Sequence, residues 1–415
     1  MIKNPLQYSQ TKENHMKIRG KHLIVLLSVC GIIASGVGLL TNTAGLFFTP
    51  VAEELHLERG AVSLTLTISN LFYALGGVMA GKVIHEKNFR LCAVAFTAML
   101  AGATFLMAFA QNVLALYLGS ALRGLSGGML GFVLATTVLN AWFAKNNGLA
   151  TSIAMSTSGI VSALFSPLLS SLITHYGWRF GYIFTGILMI IMNLPLIFLL
   201  SSLTPETEEA QASGKEQPAG KRDAQLVKIN RMLLVMVFLF AFLGCAVTAL
   251  PQHFPAIALS YGMPETTGAL MLSTCMLANT FGKIIFGILS DHLGTEKSIL
   301  LYAFLMIFGL VLLLVMRSSF FILISAILIG LSYSLGTVGV VMLTKDTFSA
   351  EGYGRAYPVI SLGGTVGNAL YSSFIGFLYD ASGSYTLPVI LTLGFGAVAI
   401  AATIFCEAKR VSYSN

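Results

Sequence analysis

The sequence predicts an all-α polytopic membrane protein with twelve transmembrane helices in two six-helix bundles. Three observations predict it. Apolar residues make up 56% of the 415-residue chain and charged residues only 10%, whereas a soluble domain carries about 25% charge. Apolar runs close to the length that spans a bilayer recur from Leu23 onward. A polar stretch from Thr204 to Asn230, rich in charge and containing Gly and Pro, divides them near the middle. In lipid each helix satisfies its own backbone hydrogen bonds, so these runs need no soluble core.

The expected spans lie at 23–50, 60–81, 91–110, 113–138, 147–174, 180–200, 232–257, 264–289, 298–316, 319–344, 354–378 and 385–405. The fifth and sixth are joined closely near Tyr176-Gly177-Trp178-Arg179. Residues 1–21 read as a polar cytoplasmic tail. They contain no short apolar core followed by a small-residue cleavage site, so the run from Leu23 reads as a retained first helix. Residues 22–200 form the first bundle, 201–230 a cytoplasmic linker, 231–405 the second bundle and 406–415 a cytoplasmic C-terminal tail.

Charge placement supports that arrangement. Of the 24 basic residues, all but five fall in segments on the N-terminal side of the membrane; Arg59, Arg179 and Arg317 fall on the other. The positive-inside rule then puts both termini in the cytoplasm, with a bacterial inner membrane as the expected location. The net charge of +7 sits in short loops and calls for no nucleic-acid partner. Cys30, Cys92, Cys245, Cys275 and Cys406 all lie in apolar segments and read as small packing residues.

The two halves also match at one constant offset. Gly148-x-Ala150 matches Gly354-x-Ala356, Ala163-Leu164-x-Ser166 matches Ala369-Leu370-x-Ser372, and Gly81 matches Gly287. Parallel repeats about an axis along the membrane normal suit a rocking mechanism.

The remaining two basic residues, Arg123 and Lys283, sit inside spans whose central parts hold no Asp or Glu. A lone charge in hydrocarbon is costly and is usually kept for a solute, ion or partner. An excess of buried positive charge points to an anion. Arg123 lies about 15 Å deep, among Gly119, Ser120, Gly124, Ser126, Gly127 and Gly128. It braces the bundle through carbonyls, contacts solute, or relays a conformational change. Lys283 stands about 12 Å along its helix from Asp291, with Asn279 one turn away on the same face. A carboxylate can bond that ammonium and amide together; the alternative is snorkelling of the long side chain.

Asn70, Tyr73, Asn140, Tyr333 and Asn368 either line a cavity or stitch helices. His253, in Pro251-Gln252-His253-Phe254-Pro255, is a candidate proton carrier or part of a broken helix end. The sequence holds no GxxxxGK[ST] and no HExxH, and shows no metal-ligand cluster. ATP-driven pumping and enzyme chemistry are therefore disfavoured, and neither a cofactor nor a metal is expected.

Several stretches resemble the major facilitator superfamily. Gly287-Ile-Leu-Ser-Asp291-His-Leu-Gly294-Thr-Glu-Lys297 is similar to its cytoplasmic loop motif, and Arg123-Gly124 to its fourth-helix Arg motif. The first-half counterpart, Gly81-Lys-Val-Ile-His85-Glu-Lys-Asn88, has His85 in place of Asp and Asn88 in place of Gly. Within the superfamily the chain most resembles the monocarboxylate transporter and oxalate/formate antiporter group. Three stretches carry this: Phe48-x-Pro50-x-Ala52-Glu53-Glu54 with Ala61-Val62-Ser63-Leu64; 147–154 with Phe165-x-Pro167-Leu168 and Trp178-Arg179; and Lys283-x-x-x-Gly287-x-x-x-Asp291. The resemblance implies that Lys283 stands where the group has a carboxylate-binding Arg, and Asn279 where animal members have a proton-coupling Asp. Oxalate exchangers add a basic residue in helix eleven; 361–378 has none, which favours a monocarboxylate.

The resulting expectation is a monomeric secondary active transporter of a small organic anion, working by rocker-switch alternating access with protons or an exchanged anion. Lys283, Arg123, Asn279, Tyr333 and Tyr73 are the expected substrate-binding residues, and Gly287, Asp291, Gly294, Gly81 and His85 the expected gating residues. One rival is an efflux transporter for neutral or hydrophobic compounds, which 28 Phe, 14 Tyr and 2 Trp would permit. The other is a non-transporting membrane sensor.

Overall fold

The computed structural model describes residues 21–143, 147–200, 231–348 and 350–414. The tail before residue 21 and the linker at 201–230 lie outside the described residues. Among the described residues the regular structure is helical throughout.

Twelve helical arms follow one another. They are α1 (21–54), α2 (Arg59–Val83), α3 (Phe89–Ala108), α4 (Val113–Trp142), α5 (147–176), α6 (178–199), α7 (Arg231–Ser260), α8 (Glu265–Leu293), α9 (Thr295–Val315), α10 (Ser319–Thr347), α11 (Ala350–Ser382) and α12 (Thr386–Ser414). Ten described stretches are long and apolar enough to cross a membrane by length and composition. One of them, Ile153–Leu199, has 47 residues, about 70 Å of helix and more than two bilayer cores long. It turns at Gly177, whose φ of 83° and ψ of 162° need a residue without Cβ, and so holds two crossings. The twelfth arm, α11, falls short in hydropathy because Ser361, Gly363, Gly364, Thr365, Gly367, Asn368, Ser372 and Ser373 dilute it. The expected C-terminal tail is helical: α12 continues past residue 405 to Ser414.

Short connections make successive arms antiparallel. The start of α1, the α2–α3 and α8–α9 turns and the end of α12 lie on one face, called here the terminal face. The turns at 55–58, 109–112, 177, 261–264, 316–318 and 383–385 lie on the opposite face. Within the first half, α2 and α4 pack backbone to backbone. A Cβ on Gly76 would overlap the Leu125 carbonyl, and one on Gly128 the Tyr73 carbonyl, so small residues set this approach.

Five helices are locally irregular, α6 among them through a π segment at Pro195–Leu199. α1 widens into a π segment at Ala34–Leu39 and α10 at Leu335–Gly339. α4 breaks at Gly131, and α7 passes through a 3₁₀ turn at Leu250–His253, set by Pro251 and Pro255. Each irregularity frees backbone groups that must find other partners.

The halves meet along two long seams, α2 against α11 and α5 against α8, and touch again where α1 meets the middle of α7. Thr67 donates to the Ala369 carbonyl at 2.5 Å, and Ser273 donates to the Ala163 carbonyl at 2.5 Å. Thr67 and Ser273 differ by the same 206 positions as Ala163 and Ala369. The internal repeat visible in sequence thus recurs as one hydrogen bond made twice. All cross-half hydrogen bonds named here lie from mid-membrane to the opposite face. Asn70 donates to Asn368 at 3.0 Å, the Gly45 amide to Gln252 at 3.2 Å, and the Arg59 and Gly60 amides to Asp380 at 3.1 and 2.6 Å.

Candidate functional site

Lys283 is set by the register of α8. On this helix Met276, Thr280 and Ser273 meet α5 of the other half: Thr280 and Met276 lie against Gly159, and Ser273 against Ala163. Cys275, Ala278 and Gly282 turn instead to α10, at Gly330 and Leu331. Lys283 is seven residues past Met276 and three past Thr280, so it falls on the stripe that faces the other half. It stands one turn nearer the terminal face than the last α5–α8 contact. The side chain is half-buried, and among the described residues it has no hydrogen bond or ion pair. The backbone beneath it is held, because Tyr302 of α9 donates to the Gly282 carbonyl at 3.0 Å.

Asn279, one turn away, is 4% exposed and its carbonyl oxygen has no partner. An unpaired buried amide is costly unless a ligand or water satisfies it. The unpartnered cation and amide therefore sit on adjacent turns of one helix.

The other expected binding residues are engaged elsewhere. Arg123 is 3% exposed; one terminal nitrogen donates to the carbonyls of Leu39 and Leu40 at 3.1 and 3.2 Å. The other lies 4.0 Å from the Met107 sulfur, Nε has no partner, and the Tyr182 ring centroid is 5.9 Å away. The two carbonyls are those loosened where the π segment of α1 ends. Replacing Arg123 by Met should cost about 1–3 kcal/mol, because the Leu40 carbonyl loses its donor while the Leu39 carbonyl keeps the Thr43 hydroxyl at 2.8 Å. Thermal unfolding in detergent should show this as a lower midpoint, with a smaller loss for Arg123→Lys.

Tyr73 accepts from the Phe132 amide at 3.2 Å, which the break at Gly131 frees, and its ring fills the gap beside Gly127 and Gly131. Tyr333 donates to the Thr248 carbonyl at 2.7 Å, just before the 3₁₀ turn of α7, and lies within hydrogen-bonding reach of Gln252. The structure thus brings Lys283 and Asn279 together, while Arg123, Tyr73 and Tyr333 each satisfy a helix irregularity.

His253 is 1% exposed and bonds the Ser372 carbonyl through Nε2 at 2.9 Å, between Phe48 and Tyr385. It belongs to the closed region near the opposite face. A Gly-x-Ser-x-Gly string does occur at 124–128, but Ser126 donates to the Leu122 and Arg123 carbonyls of its own helix. It is helix packing, not an exposed nucleophile.

The sequence model of the Major Facilitator Superfamily matches residues 29–268 and 253–414. The chain belongs to the major facilitator superfamily. Members are membrane carriers, and this one is similar to several of them along most of its length. YcxA, an uncharacterised MFS-type transporter of Bacillus subtilis, is 25% identical, with 86% of this chain and 84% of the relative covered. Monocarboxylate transporter 13 of Bos taurus is 23% identical (94% and 91% covered), and monocarboxylate transporter 11 of Homo sapiens 26% (89% and 79%). Two solved structures share the fold. One is a bacterial homologue of the human lysosomal transporter Spinster, inward-facing and unoccupied, with TM-score 0.69, 15% identity, and 95% and 98% covered. The other is the nucleoside transporter NupG, with TM-score 0.70, 13% identity, and 92% and 99% covered.

The expected gating residues of this superfamily member lie at the terminal face. Gly294 takes φ 87° and makes the α8–α9 turn, which needs a glycine. Gly81 and Gly287 have no atom within 4 Å of where a Cβ would stand. Asp291 is exposed and has no partner among the described residues. His85 is exposed; its amide donates to the Asn88 side chain at 2.7 Å, and its Nδ1 lies 3.1 Å from the Val83 carbonyl. Asn88 also donates to the Val83 carbonyl at 2.8 Å, so the pair shapes the α2–α3 turn.

Sequence reading named Asn70 and Asn368 without their partners and missed the charged cluster beside them at the opposite face. Asn368 donates to Thr248 at 2.8 Å while accepting from Asn70. Asp380, Arg59, Tyr379 and Tyr385 form a second cluster nearer the surface. The small residues Gly60 and Gly376, which touch there, were the available signal, but their partners are some 300 positions away.

Proposed function

We propose that this superfamily member is a secondary active transporter of a small organic anion carrying one carboxylate. One observation carries the reading. Lys283 is an ammonium without a protein partner among the described residues, on the stripe of α8 that faces the other half. Asn279, one turn away, can donate its amide N–H to the carboxylate, while its unpaired carbonyl oxygen accepts from a hydroxyl of the solute or from water. The similarity to monocarboxylate transporters 13 and 11 points the same way. Arg123, Tyr73 and Tyr333 act in this reading by holding the helices that frame the site.

The bundles are 22–200 and 231–405, joined by the linker at 201–230 and rocking against each other as a monomer. Basic residues concentrated on the terminal face support a reading with both termini in the cytoplasm of a bacterial cell and the protein in the inner membrane. The state with its opposite face closed is then the inward-facing one. Solute moves with a proton or in exchange for another anion. A solute shifts the balance of states only through unequal affinity for them.

Counterflow in proteoliposomes tests this reading. Short monocarboxylates should exchange across the membrane, dicarboxylates should exchange poorly, and neutral dyes should not exchange. Exchange of neutral dyes with no response to any carboxylate would replace the anion reading by efflux of neutral compounds.

A further inference from the structure

We propose that Asp380 is the latch that holds the opposite face shut, and that its release is a required step in opening that face to solute. The inference rests on the alternating-access reading above, but not on which solute is carried.

The α2 helix begins at Arg59 against the second half. Its N-cap residue, Glu58, makes no side-chain cap. The first amides of a helix have no intrahelical acceptor and carry partial positive charge. Asp380, at the far end of α11, supplies the missing acceptor from across the seam. Its Oδ1 accepts from the Arg59 amide at 3.1 Å and its Oδ2 from the Gly60 amide at 2.6 Å. Both oxygens of one carboxylate are thus committed to the other half.

The clasp is reciprocal. The Arg59 guanidinium lies 4.3 Å from the Tyr379 ring centroid, and one of its nitrogens donates to the Tyr385 hydroxyl at 3.4 Å. Tyr379 and Tyr385 stack at 4.4 Å, so the cation rests on a rigid aromatic surface. Each half therefore presents one charge to a complementary site on the other. Below the clasp, Gly376 and Gly60 allow the two backbones to touch.

The repeat shows that this is an added device. Shifted by 206 positions, Asp380 corresponds to Thr174 and Arg59 to Glu265. The Thr67 bond is duplicated as the Ser273 bond, whereas the cationic and carboxylate residues of the clasp have no like-charged counterparts in the α5–α8 seam. The fold needs both seams; among the described residues, the charged catch is seen in the α2–α11 seam. The contacts made by Asp380 and Arg59 cross between halves, so they must be lost together when the halves separate there.

Hydrogen exchange of the full chain in lipid nanodiscs, without added solute, tests the latch. Asp380→Ala should raise the open-to-closed ratio of the opposite face about ten-fold, the loss expected for charge-assisted bonds. Amides in the opposite-face parts of α5 and α8 should then exchange faster, although they lie in the other seam. Asp380→Asn keeps an acceptor without charge and should fall between, and Asp380→Glu should restore most protection. Faster exchange confined to the first turn of α2, or no change, would reduce Asp380 to a local helix cap and overturn the proposal. Because no solute is present, this outcome is independent of whether Lys283 binds an anion.

Discussion

Replacing Lys283 by Ala is expected to lower monocarboxylate counterflow roughly ten- to hundred-fold, the range for losing a charged hydrogen-bond partner. The amount of folded protein in the membrane should not change. Lys283 makes no bond to protein among the described residues, so its removal orphans no acceptor. Lys283→Arg should retain partial transport, because the charge stays while a compact ammonium is exchanged for a planar fork. The α8 backbone should stay in place through the Tyr302 bond to Gly282. Counterflow at matched protein, with thermal unfolding as the control, measures both halves of the prediction. Unaltered counterflow in the Ala variant would remove Lys283 from the site.

Substitution of Gly45 by Val should abolish transport by a different route. In this state a Cβ at Gly45 would overlap the carbonyl of Gln252 in α7, a rigid backbone atom of the other half. The Gly45 amide also bonds the Gln252 side chain at 3.2 Å. No side-chain movement relieves such a clash, so the closed opposite face becomes inaccessible. Helix α1 and helix α7 belong to different halves, and each half keeps its own packing. The protein should therefore fold and insert but remain open at the opposite face. Labelling of a cysteine introduced at Ser273 by an impermeant thiol reagent added from that side would report it. Normal transport and no added labelling would show that α1 and α7 do not close this tightly.

The helical spans were legible because the bilayer makes their rule local. Every backbone group must bond within its own helix, so long apolar runs identify themselves. Two places carry a weaker apolar signal, for physical reasons. Helices α5 and α6 join through the single residue Gly177, and it was the Tyr176-Gly177-Trp178-Arg179 string that separated the expected spans 147–174 and 180–200. Helix α11 crosses the protein interior lined with Gly, Ser and Thr, so its hydropathy understates its position. The repeat was legible as a constant offset, but only the paired Thr67 and Ser273 bonds show what the matched residues do.

Candidate residues were legible as types and not as partners. Arg123 and Lys283 were equivalent in sequence, each a cation in an apolar span. They diverge because α1 widens beside Arg123 and exposes two carbonyls, whereas nothing described is offered to Lys283. Tyr73 and Tyr333 divide from Asn279 for the same reason: the helix next to each tyrosine is interrupted. Asp380 carried no signal at all, since its partners lie more than 300 positions upstream.

From the amino acids alone came the number of crossings, the sidedness of charge, the twofold repeat and the shortage of acidic groups in the membrane. Each follows from transfer between water and lipid, which acts on a residue wherever its neighbours are. The tertiary structure decided which cation is spent on backbone carbonyls and which is left unpaired, and which face the halves close. Those outcomes depend on where distant helices interrupt their own hydrogen bonds and how nearly two backbones can approach.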